Sequence, residues 1–194
     1  MLRPGPVIIA EWIVFAASWL LAAAWRRPVR QRLGIKRELT YRAILIVGGL
    51  VSLIPSHGYE GPLRLWHVDA IQAWLCVLLI AAGFLFSWWA RVHLGDLWSG
   101  QITTKDGHTL IDTGPYALVR HPIYTGILMA VYATAVAKGT IPGLIGLILI
   151  TAGLWIKATL EERWLSTELQ DEAYRRYRRR VPMLIPFMPV GWGR

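Results

Sequence analysis

The chain has one cysteine in 194 residues, and only 12 acidic residues against 21 lysines and arginines. A single cysteine excludes an internal disulfide and a cysteine-based metal site. Cys76 lies inside an apolar run, where it reads as a small packed side chain. The histidines His57, His67, His93, His108 and His121 are scattered, with no second ligand at metal-binding spacing, so no metal is expected. No glycine-rich phosphate loop and no dinucleotide fingerprint is present. Low-complexity tracts and internal repeats are missing too.

What is abundant is apolar. The sequence is 55% hydrophobic, has a mean hydropathy of +0.41 and carries 11 tryptophans. The apolar residues fall in five blocks, 7–25, 43–54, 70–90, 123–137 and 141–158. A membrane crossing needs about 20 apolar residues. Blocks 7–25 and 70–90 meet that length, whereas 43–54 is short and needs its flanks, a tilt or a thin bilayer. The first block reads as a span rather than a cleaved leader, because it lacks a basic start beyond Arg3 and no small-residue cleavage site closes it. Lys138-Gly139-Thr140 separates the last two blocks and reads as a tight helix–helix turn.

The net charge of +9 invites a nucleic-acid reading, but the basic residues cluster at the ends of apolar blocks and no nucleic-acid partner is expected. With five spans, 18 of the 21 lysines and arginines fall on one side and Arg3, Arg64 and Lys138 on the other. The positive-inside rule then places the N-terminus outside, and the C-terminus and the 93–121 loop in the cytoplasm. Trp12, Trp25, Trp66, Trp88, Trp89 and Trp164 sit near block ends, as an aromatic belt does. The fold class is therefore all-α: a polytopic membrane protein of about five transmembrane helices, with a C-terminal helical hairpin and a cytoplasmic pocket.

Chemistry concentrates at one edge of that hairpin. Arg120 and His121 precede Pro122, which suits the first position of a helix. A helix start is a ready anion site. The next block ends in Glu161-Glu162, so the hairpin returns two carboxylates to the same edge. Opposed charges there suit a zwitterionic ligand. The bland alternative is a surface pair between Arg120 and the glutamates, worth little. Adjacent residues on a helix point about 100° apart, so one glutamate of the pair is expected to face inward. The 93–121 loop carries apolar anchors and reads as a folded cap. Residues 168–180 read as a basic interfacial helix for anionic lipid, and 181–187 as a proline-stiffened apolar segment able to dip back into the membrane.

Leu94-Gly95, Trp98-Ser99, His108-Thr109-Leu110, Gly114-Pro115-Tyr116 and Arg120-His121-Pro122 with Tyr124 and Gly126 resemble the isoprenylcysteine carboxyl methyltransferase family. So do Glu161-Glu162, Leu165, Tyr174, Tyr177, Arg180-Val181-Pro182 and Pro186-Phe187. Membrane methyltransferases acting on phospholipid amines share the layout. The resemblance covers 94–187. It implies one membrane domain over 1–194, with N-terminal spans in 1–92 and a methyltransferase core over 93–187. It implies S-adenosylmethionine as cofactor, held by His108, Tyr116, Val119, Arg120, His121, Tyr124, Glu161 and Glu162. Arg120, Glu161 and Glu162 would be the catalytic groups, and the acceptor a lipidic or small apolar molecule reached through the bilayer, most like an isoprenylcysteine carboxylate. A carboxylate nucleophile needs only a positioning arginine, whereas a thiol or amine needs a base or a local field, for which Glu161, Glu162 or His121 each serve. A sterol-type reductase using a nicotinamide cofactor and a non-catalytic membrane subunit are the rival readings. The intact Arg-His-Pro motif with the glutamate pair favours methyl transfer.

Overall fold

The computed structural model describes residues 3–22, 31–32, 35–54, 62–95, 103–104, 111–169 and 172–188. The described residues form six α-helices: α1 Pro4–Ala22, α2 Ile35–Leu53, α3 Ala70–Leu94, α4 Pro122–Lys138, α5 Ile141–Leu169 and α6 Glu172–Arg180. A 3-10 turn, Gly114–Ala117, precedes α4. Strands β1 Gln31–Arg32 and β2 Thr103–Thr104 form a two-residue antiparallel pair that ties the first interhelical loop to the 96–110 region. These two loops were expected on one side of the membrane, and the pairing joins them.

Two helix pairs make the bundle. In the α3·α4 pair the backbones meet at glycines: a Cβ on Gly83 would lie 2.5 Å from the Gly126 carbonyl, and one on Gly126 2.3 Å from the Gly83 carbonyl. Ser87 donates across this seam to the Ile123 carbonyl at 3.1 Å. The α2·α5 pair closes likewise over Gly48, Gly146 and Ser52. Small residues let helices approach where lipid offers no hydrophobic drive to associate. Helix α1 lies on α3 through aromatics, with Phe15 stacked on Phe84 at 4.1 Å and Trp12 edge-on to Phe84 at 4.9 Å.

Several expectations move. Block 43–54 belongs to a 19-residue helix that starts at Ile35, because Lys36, Arg37, Glu38 and Arg42 extend it without being apolar. The fifth block does not stop at 158; α5 continues through both glutamates to Leu169. The tail helix therefore begins at Glu172 rather than 168. By length and composition α1, α3 and α5 are each apolar enough to cross a membrane, and α4 is a 17-residue apolar helix. The protein is an integral-membrane helical bundle. Trp12, Trp66 and Trp88 do not simply face lipid: their indole N–H groups donate to Thr134, the Val136 carbonyl and Ser18.

The hairpin turn is a left-handed glycine, Gly139 at φ 58°, where a Cβ would meet the Trp66 carbonyl at 2.2 Å. Its carbonyl accepts from Leu65 N at 2.8 Å, and Ile141 N donates to the Leu63 carbonyl at 3.0 Å. Lys138 reaches the C-terminal carbonyls of α2, Ser52 and Ile54, the latter at 2.7 Å, where a cation complements the helix dipole. At the other end Arg91, fully buried, donates to the Gly95 carbonyl and to the Ala22 carbonyl at the end of α1.

Candidate active site

Helix α4 runs 17 residues back from the turn and α5 reaches Glu161 after 20 residues. At 1.5 Å per residue both travel about 25–30 Å. The start of α4 and the glutamate pair therefore arrive at one level, opposite the turn.

Arg120 is wholly committed there. Its Nε and Nη2 donate to the two Glu162 oxygens at 2.6 and 3.1 Å, and its Nη1 donates to the carbonyls of Arg178 and Val181 at 2.8 and 2.6 Å. The pair is not a surface ion pair: the side chains are 8% and 4% exposed. Arg178 adds a contact to Glu162 at 3.3 Å. A buried pair of this kind is costly to break, by about 3–5 kcal/mol, because the survivor is left as an uncompensated charge. Arg120 thus clamps α5 and the tail to the start of α4.

Glu161 has a different environment. The Tyr124 hydroxyl lies 2.7 and 2.8 Å from its two oxygens. His121 Nδ1 is 3.5 Å away and Lys157 Nζ 3.8 Å. The expectation of one inward glutamate is corrected: both point in, on either side of His121. The imidazole sits in the cleft between them, with Nε2 3.4 Å from Glu162 yet outside hydrogen-bond geometry, so that buried nitrogen has no hydrogen-bond partner. Its ring stacks on Tyr124 at 5.3 Å and 5°.

The tail closes over this edge. Arg120 N and His121 N donate to the carbonyls of Pro182 and Met183, and the Thr125 hydroxyl donates to that of Leu184 at 2.6 Å. Two main-chain donors expected to face an anion are therefore occupied. Val181, Met183 and Leu184 are buried, whereas Phe187 is 93% exposed. The Tyr177 hydroxyl donates to the Tyr116 carbonyl at 2.8 Å, and Arg180 pairs with Asp112 at 2.8 Å, so α6 also holds the 3-10 turn. Burial pushes the Tyr116, Tyr174 and Tyr177 hydroxyls well above the ordinary phenol range, and they stay protonated.

Of the expected site residues, Arg120, His121, Tyr124, Glu161 and Glu162 meet within one cluster. Tyr116 packs against Ile123 just beside it, stacked on His93 at 6.3 Å. Val119 is fully buried. His108 and Trp98 lie outside the described residues. Lys157 was read only as an inside cation and Tyr41 was not singled out. A lysine four residues before a glutamate, inside an otherwise apolar span, was a usable signal. Tyr41 had none, because it precedes the region of family resemblance.

Residues 71–172 match the family model described as phospholipid methyltransferase. The chain is 31% identical over 198 residues to methanethiol S-methyltransferase 2 of Bradyrhizobium diazoefficiens, an alignment covering 94% of this chain and 74% of that protein. It is 32% identical over 106 residues to the protein-S-isoprenylcysteine O-methyltransferase of Schizosaccharomyces pombe, covering 52% of this chain and 43% of that one. A methanethiol S-methyltransferase of Pseudomonas deceptionensis is 41% identical over 71 residues, covering 37% and 26%. A helical membrane bundle with these relatives is a membrane methyltransferase. The chain belongs to the phospholipid methyltransferase family, and its resemblance to the isoprenylcysteine branch is borne out.

Proposed function

We propose that this protein transfers a methyl group from S-adenosylmethionine to a small apolar thiol at the cytoplasmic face of the membrane. The observation that carries the donor is the cleft around His121: a buried ring nitrogen without a hydrogen bond, a carboxylate on either side, and the Tyr124 ring stacked beside it. These groups fit an amino-acid ligand that also carries a cation. His121 would take its carboxylate, Glu161 its ammonium, and the Tyr124 face its sulfonium. Tyr116, Val119 and His108 are the further pocket residues that the family resemblance implies, within a methyltransferase core over 93–187. When bound, the cofactor supplies a methyl already activated on a sulfonium.

The chain's own residues align and enclose. Arg120 and Glu162 fix the pocket rather than touch the acceptor, because every contact they make is internal. The tail carbonyls seal the start of α4 against water, and excluding water favours transfer over hydrolysis. Glu161 is the carboxylate left to meet ligands.

The thiol is favoured by the relative aligned over 94% of this chain, which is named for methanethiol. The isoprenylcysteine relative supports a second acceptor, a lipid-borne carboxylate entering between helices. Purified protein with labelled S-adenosylmethionine, offered short alkanethiols, prenylcysteines, fatty acids and phospholipids, decides the class. We expect label in the thioether; label only in the carboxyl ester establishes the second reading, and label in none sinks both.

The five-span orientation belongs to this reading, with the N-terminus outside and the site inside. It rests on the basic asymmetry and on the β1–β2 pairing of two loops at one end. Cysteines at Ser56 and Thr104, in a Cys76→Ala background, should label from opposite sides of sealed vesicles. Labelling from the same side removes the model.

A further inference from the structure

Past the clamp the tail ends in a turn whose backbone its own packing does not explain. In Ile185-Pro186-Phe187-Met188 the Met188 N–H donates to the Ile185 carbonyl at 3.3 Å. Phe187 has φ 64°, the positive φ found at a residue other than glycine among the described residues. Proline holds its own φ negative, so a positive φ at the next residue makes this a type II turn, where glycine is the ordinary occupant. A bulky side chain in that conformation is an outlier. Outliers of this kind persist where the surroundings over-determine them. Here the chain supplies no such surroundings for the ring: Phe187 is 93% exposed and Ile185 57%.

The course of the tail puts this turn on the membrane side of the site. The chain leaves α6 where Arg180 pairs with Asp112. It then runs along the hairpin until Met183 and Leu184 pack with Ala158, Tyr124 and Leu128. Leu128 is the seventh residue of α4, about 9 Å inward from the helix start at 1.5 Å per residue. Before the turn comes a basic surface: Arg175, Arg176 and Arg179 are exposed on α6, with Tyr174 and Tyr177 turned inward. Cations that can meet anionic headgroups, followed by an apolar tip about 5–10 Å deeper, make the pattern of an interfacial anchor.

We propose that the exposed face of α6 and the 185–188 turn form one docking surface for an anionic bilayer, and that lipid held there keeps the tail closed over the donor cleft. The link is covalent and short. The carbonyls of Arg178 and Val181 accept from Arg120, those of Pro182 and Met183 from the main chain of Arg120 and His121, and that of Leu184 from Thr125. Phe187 follows the last of these acceptors by three residues, and the basic face of α6 precedes most of them. A bilayer that binds both ends of this strap better when it is closed shifts the strap toward closure by that difference in affinity. The effect on the donor rests on the S-adenosylmethionine reading above; the docking itself does not.

The docking is tested without donor. In a Cys76→Ala background a nitroxide is attached after Phe187→Cys or after Arg176→Cys. Its collisions with molecular oxygen, which concentrates in lipid, and with a water-soluble nickel chelate are compared in nanodiscs of phosphatidylcholine, with and without phosphatidylglycerol. We expect the label at 187 to favour oxygen, more so in the anionic discs, and the label at 176 to favour nickel. A label at 187 as open to nickel as that at 176 overturns the docking. A label there shielded from both reagents marks a protein contact and overturns it too, and one no deeper in anionic discs removes the part given to α6. For closure, Phe187→Ser and Phe187→Gly should each weaken S-adenosylmethionine affinity in anionic nanodiscs about tenfold, the order expected for one large apolar side chain withdrawn from lipid. The glycine also relieves the turn, so its loss cannot come from strain, and Phe187→Leu should bind as wild type does. Wild-type affinity in both the serine and glycine variants overturns the link to the cleft. If the wild type binds no S-adenosylmethionine in either lipid, the donor reading fails instead, and the collision data still decide the docking.

Discussion

At the turn end of the α4–α5 hairpin the chain is held by its own main chain. Gly139 and Ile141 exchange hydrogen bonds with Leu63 and Leu65, and Lys138 caps the carbonyls of α2. At the open end two main-chain bonds to the tail are joined by a cluster of side chains: a buried arginine, two carboxylates, an imidazole and a tyrosine. Main-chain contacts at the turn depend on geometry and on one glycine, and offer a ligand nothing to displace. Side-chain charges at the open end leave groups such as Glu161 and His121 whose contacts a ligand can share. Stability and chemistry are therefore intermingled at one end and separate at the other.

The largest expected effect breaks the open end. Arg120→Ala takes the bidentate partner from buried Glu162, leaving it only the longer contact to Arg178, and should cost about 3–5 kcal/mol, read as a lower thermal midpoint in detergent. Hydrogen exchange at residues 139–141 should stay slow in the same variant. Faster exchange there would mean that the two ends are one cooperative unit.

Glu161→Gln should separate ligand binding from folding. It keeps an acceptor for Tyr124 but loses the charge, so S-adenosylmethionine affinity should fall by about 2–3 kcal/mol, tens- to a hundredfold, with an unchanged thermal midpoint. Affinity within threefold of wild type would make Glu161 part of the scaffold, like Glu162.

Gly139→Ala tests the turn. A left-handed conformation costs a residue with a Cβ roughly 1–2 kcal/mol, and here the Cβ also meets the Trp66 carbonyl. Stability should drop while donor affinity, measured below the melting range, does not. A matching loss of affinity would show that the turn sets the cleft.

The smallest effect belongs to the tail surface. Arg175, Arg176 and Arg179 of α6 are exposed, while Tyr174 and Tyr177 are buried. Basic residues at an anionic membrane surface gain about 1 kcal/mol each, screened by salt. Arg175→Ala with Arg176→Ala should leave activity unchanged in nanodiscs of neutral lipid and lower it only in anionic ones. A loss in both lipids would place these arginines in the closure of the site.

The helices were legible from hydropathy, because a bilayer demands long apolar runs with their hydrogen bonds made internally. The turn at Gly139 and the helix start at Pro122 were legible from residue chemistry, and the Arg-His-Pro and Glu-Glu motifs marked the right cluster. Helix lengths were less legible: α2 and α5 run into polar sequence that packing, not hydropathy, holds in the helix. The sequence by itself determined the membrane bundle, the hairpin and the residue types that gather at its open end. Only the tertiary structure decided that both glutamates face His121, that Arg120 is spent on the tail carbonyls, and that Tyr41 from α2 meets Lys157. Those outcomes depend on how far one helix is rotated against another and on which long-range main-chain acceptors arrive, and neither is encoded in local spacing.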